Sequence, residues 1–380
     1  MIDGRVRFSE IDHTRKITVP SIINYFQDCS TFQSEDIGVG LDVLSKKKKA
    51  WILTYWQIVI DHYPKKGMFA DISDVSYGVG GCAANTAVGV KALDPSIEVK
   101  SVALVGKDAN GAFIKKKLEK HGIDISMIQE TDKDVTGFSD VMTVKHTGER
   151  TFFSDRGVNR IFDEKNLQIE NEEGSIILLG YGGILDALNK PNEKYGTDLV
   201  KAFHDLKEKG LVTAMDVASM NDKEEMQRYV IPSLKYVDYL IVNEIEGGEL
   251  AEMELRREDG SLNRDAMEKA ARKLMTMGVQ KCCVLHAPEM GCAVDSEGNY
   301  VEEPSLKLPD GYIVGTVGAG DSFCAGILYS IYKKLSMDEA LKIAAASAAA
   351  NLSAGDSVGG LRSIEETMKL YDAYSPRKQW

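Results

Sequence analysis

The sequence predicts an α/β fold, a parallel sheet covered by helices on both faces. Three observations carry that reading. From Met68 onward, short uninterrupted apolar runs recur at Val102 to Val105, Ile176 to Leu179, Leu211 to Met215, Tyr239 to Val242 and Cys282 to Leu285. Helix-length segments fall between runs, notably Gly111 to His121, Leu199 to Lys209 and Arg264 to Met277. Glycine-rich turns, such as Gly180-Tyr181-Gly182-Gly183, stand where runs end. Strands buried on both faces read as continuous apolar runs, and parallel neighbours need crossovers of about helix length.

In chain order, Arg5 to Phe8 reads as a short alternating strand. Pro20 to about Glu35 reads as a helix, with Ile22, Ile23, Phe26 and Cys29 on one face and Thr18 or Ser21 as its cap. Ala50 to Ile60, rich in Trp, Tyr and Ile, predicts a long strand, which Pro64, Lys65, Lys66 and Gly67 end. Phe138 to Thr143 and Arg150 to Phe153 predict a hairpin around Thr147-Gly148. Ser336 to Leu352 is an Ala-rich helix whose Ser336 and Glu339 have capping-box spacing.

The composition fits a globular chain with a core: 380 residues, 43% hydrophobic and 27% charged. A formal net charge of −12, with one dense basic run at Lys46 to Lys49, argues against nucleic acid as a partner. None of the six cysteines forms a C-x-x-C pair and His is scarce, which argues against a zinc or disulfide framework. Met1 to Glu10 lacks an apolar leader core, and no membrane-spanning stretch is free of charge. A cytoplasmic protein without a membrane partner is expected.

The strongest chemical signal is Gly315-Thr316-Val317-Gly318-Ala319-Gly320-Asp321-Ser322-Phe323, followed by an apolar helix from Cys324 to Tyr332. Small residues before a helix leave its first N–H groups bare, and that geometry binds anions. Small side chains also let a phosphoryl group approach the backbone. Asp321, at the mouth of this hole, can accept the proton of an attacking hydroxyl while the amides stabilise the transferring charge. A plain glycine-rich helix start is the bland alternative. No G-x-x-x-x-G-K-[ST] occurs, so a P-loop is excluded. Gly78-Val79-Gly80 lacks the acidic partner of a dinucleotide fingerprint.

This segment resembles the second signature of the PfkB/ribokinase family of carbohydrate and nucleoside kinases. Gly80-Gly81-Cys82-Ala83-Ala84-Asn85 resembles the first, G-G-x-x-x-N, and Asn243-Glu244-Ile245-Glu246 resembles the family's N-x-x-E. The resemblance covers Met68 to Trp380. It implies a ribokinase-like three-layer sandwich with a small β lid, the lid coming from Ile72 to Tyr77 and Phe138 to Phe153. It implies Asp321 as base, Gly318, Ala319 and Gly320 as anion hole, and Gly80, Gly81 and Asn85 on the acceptor. Asn159, in Arg156-Gly157-Val158-Asn159, is a weaker acceptor contact. Asn243 and Glu246 would organise the phosphates and Mg²⁺, Glu246 through water, with Gly291 and Asn351 near the adenine. ATP and Mg²⁺ are the implied cofactors, a monovalent cation a further one, and a sugar or nucleoside the implied partner; a homodimer is compatible. Family members usually carry Asp or Asn at the place of Gly315 and a second Thr at that of Val317.

Arg5 to Gly67, with V-R-F-S-E-I-D and I-I-N-Y-F-Q-D-C-S-T-F-Q-S-E-D-I-G, resembles the beginning of bacterial acyl-ACP thioesterases, which are hotdog folds. Only an incomplete hotdog-like β-α-β segment is expected over residues 1–67, before a kinase domain over 68–380. The thioesterase catalytic stretch has no counterpart, so Asp28 and Glu35 read as a polar helix face. The ribokinase-like fold normally begins with a strand upstream of G-G-x-x-x-N; the expectation here is that Trp51 to Ile60 fills its place, with Asp61 near the sugar. The expected function is phosphorylation of a sugar-like alcohol by ATP. The alternatives are a nucleoside kinase, a catalytically dead kinase fold that binds without turnover, and an acyl-carrier-protein binding module joined to a kinase.

Overall fold

The computed structural model describes residues 57–59, 77–143, 150–170, 172–218 and 223–377. The strand expected at Arg5 to Phe8, the helix at Pro20 to Glu35, the hotdog-like segment, Asp61, the Thr147-Gly148 turn and most of Ile72 to Tyr77 lie outside these residues. The chain divides into two compact units, one of residues 1–77, 108–110 and 138–155, the other of 78–107, 111–137 and 156–380.

In the smaller unit, β1 (Gln57–Val59) runs parallel to β4 (Phe138–Thr143), which pairs antiparallel with β5 (Arg150–Asp155). The predicted hairpin is therefore present. Trp51 to Ile60 was expected in the central sheet of the kinase, and its described part corrects this: Gln57 to Val59 extends the hairpin instead. An apolar β-branched run fixes strand geometry but not the neighbour, and the edge of β4 offers an unpaired ladder.

The larger unit contributes, in chain order, α1 (Cys82–Leu93), β2 (Ala103–Gly106), α2 (Ala109–Lys120, its first residues in the smaller unit), β3 (Ile128–Thr131) and β6 (Ile176–Gly182). The two-residue strands β7 (Pro191–Asn192) and β8 (Gly196–Thr197) precede α3 (Asp198–Glu208). There follow β9 (Val212–Val217), α4 (Lys223–Tyr229), β10 (Tyr239–Asn243), α5 (Glu244–Ala251) and α6 (Arg264–Thr276). The unit ends with β11 (Cys282–His286), β12 (Met290–Asp295), β13 (Tyr300–Pro304), α7 (Ala319–Tyr332), α8 (Met337–Asn351) and α9 (Ile364–Ala373).

Six strands form one sheet in the order β13-β12-β11-β10-β9-β6, parallel from β6 to β11 and antiparallel beyond. Alternate residues of each strand feed opposite layers, as the two-residue period requires. Met215, Leu240, Val242, Cys283 and Leu285 pack with Phe203 of α3 and Leu274 of α6. Ala214, Ile241, Cys282 and Val284 pack with Phe323 and Ile327 of α7 and Leu341 of α8. This is the predicted three-layer arrangement. Ser336 caps α8 in the expected box with Glu339.

The sheet stops at β6. Strand β2, predicted as part of it, pairs only with β3 among the described residues. Val102, just before β2, shares one apolar cluster with Ile177 of β6, and Leu104 of β2 shares another with Leu179 of β6, so apolar packing joins the two strands where no ladder does among the described residues.

Candidate active site

The parallel strands β9, β10 and β11 end together, and their C-terminal ends carry Asp216, Asn243 and His286; Asn243 and His286 stand in register. In open α/β sheets this end is where ligands bind. The turn before α7 arrives at the same place. Gly318 sits in the left-handed region at φ 77° and provides no side chain to cap the helix. Its Cβ position would lie 2.3 Å from the Ser357 carbonyl, so only glycine fits. Ser322 N–H, the first to return to the chain, donates to the Gly318 carbonyl at 2.8 Å. Among the described residues nothing occupies the Ala319, Gly320 and Asp321 amides, which leaves them for an external anion. Gly320 lies against His286, a Cβ there standing 3.3 Å from the imidazole Cε1. Burial lowers the His286 pKa to about 4, so a neutral ring, stacked on Phe323, borders the turn.

Asp321 meets the first signature. Asn85 Nδ2 donates to its Oδ2 at 2.7 Å, and Thr86 Oγ1 donates to its backbone carbonyl at 3.3 Å. Burial pushes the Asp321 carboxyl above its ordinary range, while the bond from Asn85 holds it down. A carboxylate with a raised pKa is a better proton acceptor for an alcohol than an exposed one. Asn85 is 4% exposed and its Oδ1 lacks a partner among the described residues. Replacing Asn85 with Ala removes the hydrogen bond that lowers that carboxyl, so the acid limb of the kcat/KM profile should move to higher pH. A limb that stays in place would disconnect Asn85 from the ionisation that controls turnover.

Asp216 and Cys82 were not singled out for chemistry in the sequence, and Tyr181 entered only as part of the glycine-rich turn at a strand end, where ligands of α/β folds sit, yet all three belong to this cluster. Cys82 Sγ and oxygens of Asp216 and Asp321 all lie within 4.8 Å of one another. Burial, then Glu246 and Asp321, push the Asp216 carboxyl well up. Burial leads in raising Tyr181 as well, followed by Asp321, Cys82 and Asp216. Tyr181 is held at φ 58°, where β6 loses register between Leu179 and Gly182. A left-handed tyrosine is rare and costs strain, which concentrates at functional sites.

The other expected residues fall differently. Asn243 and Glu246 form a capping box at the start of α5: Asn243 Oδ1 accepts from the Ile245 and Glu246 amides, and Glu246 Oε2 accepts from the Asn243 amide. That box orients Glu246 close enough to Asp216 to raise its pKa. Asn351 is fully buried and donates to the Val317 carbonyl at 2.7 Å. It therefore braces the anion turn from below and has no surface for adenine. Gly291 is equally internal, because a Cβ there would meet the Phe323 ring at 2.6 Å. Asn159 lies exposed on a 3₁₀ turn (Gly157–Arg160), and no side-chain hydrogen bond ties it to the Asp321 cluster among the described residues. Arg156 of that segment pairs with Asp186 at 2.6 Å. Gly81 is at φ 93° and Gly80 has open space around its Cβ position, which suits a backbone that a small molecule lies against.

The fold and the cluster together define an α/β enzyme that offers an anion hole and a half-buried carboxylate at one sheet end. The sequence profile of the pfkB family carbohydrate kinases matches residues 49–362, and the chain belongs to that family. It is thus a carbohydrate kinase by family and fold. The profile of the acyl-ACP thioesterase N-terminal domain matches residues 3–91. The start of the chain therefore carries the second resemblance, and the two matches overlap beyond the boundary expected at residue 67. Relatives include the ribokinase of Arabidopsis thaliana, 24% identical over 82% of this chain and 77% of that one. The nucleoside kinase of Methanocaldococcus jannaschii is 24% identical over 76% of this chain and 84% of its own length. The 2-dehydro-3-deoxygluconokinase of Escherichia coli is 26% identical over 67% and 82%. Among solved structures, Arabidopsis thaliana ribokinase complexed with ribose and ATP superposes with a TM-score of 0.64 at 20% identity, covering 83% of this chain and 95% of that one. Thermotoga maritima ribokinase gives 0.63 at 21%, covering 84% and 96%. The fold is ribokinase-like. No helix of the described residues is long and apolar enough to cross a membrane.

Proposed function

We propose that the chain transfers the γ-phosphoryl group of ATP to an alcohol of a sugar or sugar-like acceptor. The observation that carries this is the Asp321 carboxylate, held by Asn85 at the mouth of an uncapped helix start. Asp321 takes the hydroxyl proton, and the Gly318, Ala319 and Gly320 backbone holds the phosphoryl oxygens as charge develops on them. Asn85, whose Oδ1 is unpartnered, and the open backbone at Gly80 and Gly81 receive the acceptor. Asn351 and Gly291 act by supporting the turn. The carboxylate donor at Glu246, placed by its capping box, fits a hard cation that keeps most of its waters. Mg²⁺ bound there would neutralise phosphate charge. We read residues 68–380 as the kinase domain, with a thioesterase-like segment before it.

Arabidopsis ribokinase was solved with ribose and ATP, whereas another relative acts on nucleosides, so the acceptor is the open variable. ADP release by the full chain, measured with a panel of sugars, sugar acids and nucleosides, should rise above the acceptor-free rate with at least one sugar-like alcohol. A flat panel would favour a kinase fold that binds without turnover, and a response confined to nucleosides would replace the acceptor class.

A further inference from the structure

The chemistry of Cys82, Asp216 and Asp321 is not exhausted by phosphoryl transfer. A thiol has no part in that reaction, yet Cys82 presents its Sγ among the carboxylates at 0% exposure. The three come from separate elements: Cys82 opens α1, Asp216 ends β9 and Asp321 lies in the first turn of α7. Tetrahedral zinc with Zn–S near 2.3 Å and Zn–O near 2.0–2.2 Å sets its ligand atoms roughly 3.5 Å apart. The three atoms, all within 4.8 Å of one another, lie at most roughly 1.3 Å beyond that spacing. The two carboxylates are partly accessible, so an ion can reach them from solvent.

A further feature, independent of that geometry, points to a cation. Asn85 is buried and hydrogen-bonded to Asp321, and its Oδ1 lacks a partner among the described residues. That oxygen could accept from a metal-bound water. Thiolate selects against Mg²⁺, which prefers six oxygens, and for zinc-like ions.

We propose that Cys82, Asp216 and Asp321 form an inhibitory site for a thiophilic divalent cation of the Zn²⁺ type, with water as the fourth ligand. On binding, the Cys82 thiol releases its proton to solvent and sulfur donates to the metal. Asp321 becomes a ligand and no longer accepts the proton of the acceptor alcohol. The inhibitory half rests on the reading of Asp321 as base; the binding half does not.

The test uses the full chain. Zn²⁺ affinity is measured by competition with a chromophoric chelator, and Cd²⁺ is added to read its thiolate charge-transfer absorption. The expected result is one site, weakened roughly tenfold or more in Cys82→Ser and in Asp216→Asn. The Cd²⁺ band should vanish in Cys82→Ser and persist in Cys324→Ser. Metal-free melting curves establish that each variant folds; should Cys82→Ser fail to fold, Asp216→Asn carries the comparison. Equal Zn²⁺ affinity in the wild type and the folded variants, or a band that follows Cys324, overturns the site. Zn²⁺ should suppress ADP release by the wild type and not by Cys82→Ser. Binding at Cys82 that leaves ADP release untouched keeps the site, overturns the inhibition and removes Asp321 from the base role.

Discussion

Asp321→Asn should lower ATP-dependent phosphorylation by about 10²–10⁴-fold, the range that a positioned general base supplies, and should leave the fold intact. Asn keeps the size and the hydrogen-bonding reach of the carboxylate but cannot take the proton. The same variant should be more stable than the wild type at pH 7. Burial raises the Asp321 pKa in the folded chain above the value of about 3.9 expected when unfolded. Holding this carboxylate ionised, or protonating it at neutral pH, therefore costs folding free energy that Asn does not incur. Below about pH 4 both states bind the proton, and the stability difference should vanish. Thermal melts at pH 7 and near pH 4, beside steady-state ADP release, check both halves. Activity within tenfold of wild type would end the base assignment, and a destabilised variant at pH 7 would contradict the burial argument.

That balance explains which parts of the site were legible in the sequence. Asp321 and Asn85 stand 236 positions apart, yet each sits in a glycine-rich turn whose backbone demands are local and visible in one dimension. Four strands of the six-strand sheet, β6, β9, β10 and β11, were legible because continuous apolar runs report burial on both faces; β12 and β13 were not, and the run at Val102 to Val105 pairs with β3 instead. Asp216 was not, because an acid after a strand usually caps a turn in solvent. Its chemistry exists only where the end of β9 meets the start of α1, a tertiary fact. Cys82 occupies a position that the G-G-x-x-x-N pattern leaves open. Asn351 and Gly291 are buried against the turn and Phe323, and that packing was not legible, since a motif gives proximity and not exposure. Gln57 to Val59 teaches a related point: propensity makes a strand, and the nearest unpaired edge selects its partner.

Gly318→Ala should abolish turnover for a reason separable from backbone strain. Two glycines have nearly the same positive φ, Gly318 at 77° and Gly174 at 81°. A Cβ at Gly174 meets nothing within 4 Å, whereas one at Gly318 would stand 2.3 Å from the Ser357 carbonyl oxygen. Gly174→Ala thus measures the conformational cost alone, about 1–2 kcal/mol, and should leave ADP release unchanged. Gly318→Ala adds a collision with backbone that no side-chain rotation relieves. Either Ser357, whose Oγ donates to the Val79 carbonyl beside the first signature, gives way, or the Ala319 and Gly320 amides swing off the phosphoryl position. A misplacement of about 1 Å is enough to cost roughly 10²-fold in rate. Melting temperatures and single-turnover rates of the two variants make the comparison. Equal destabilisation with retained turnover in both would mean that the turn yields easily, and an anion hole built on yielding amides could not stabilise a transferring phosphoryl group.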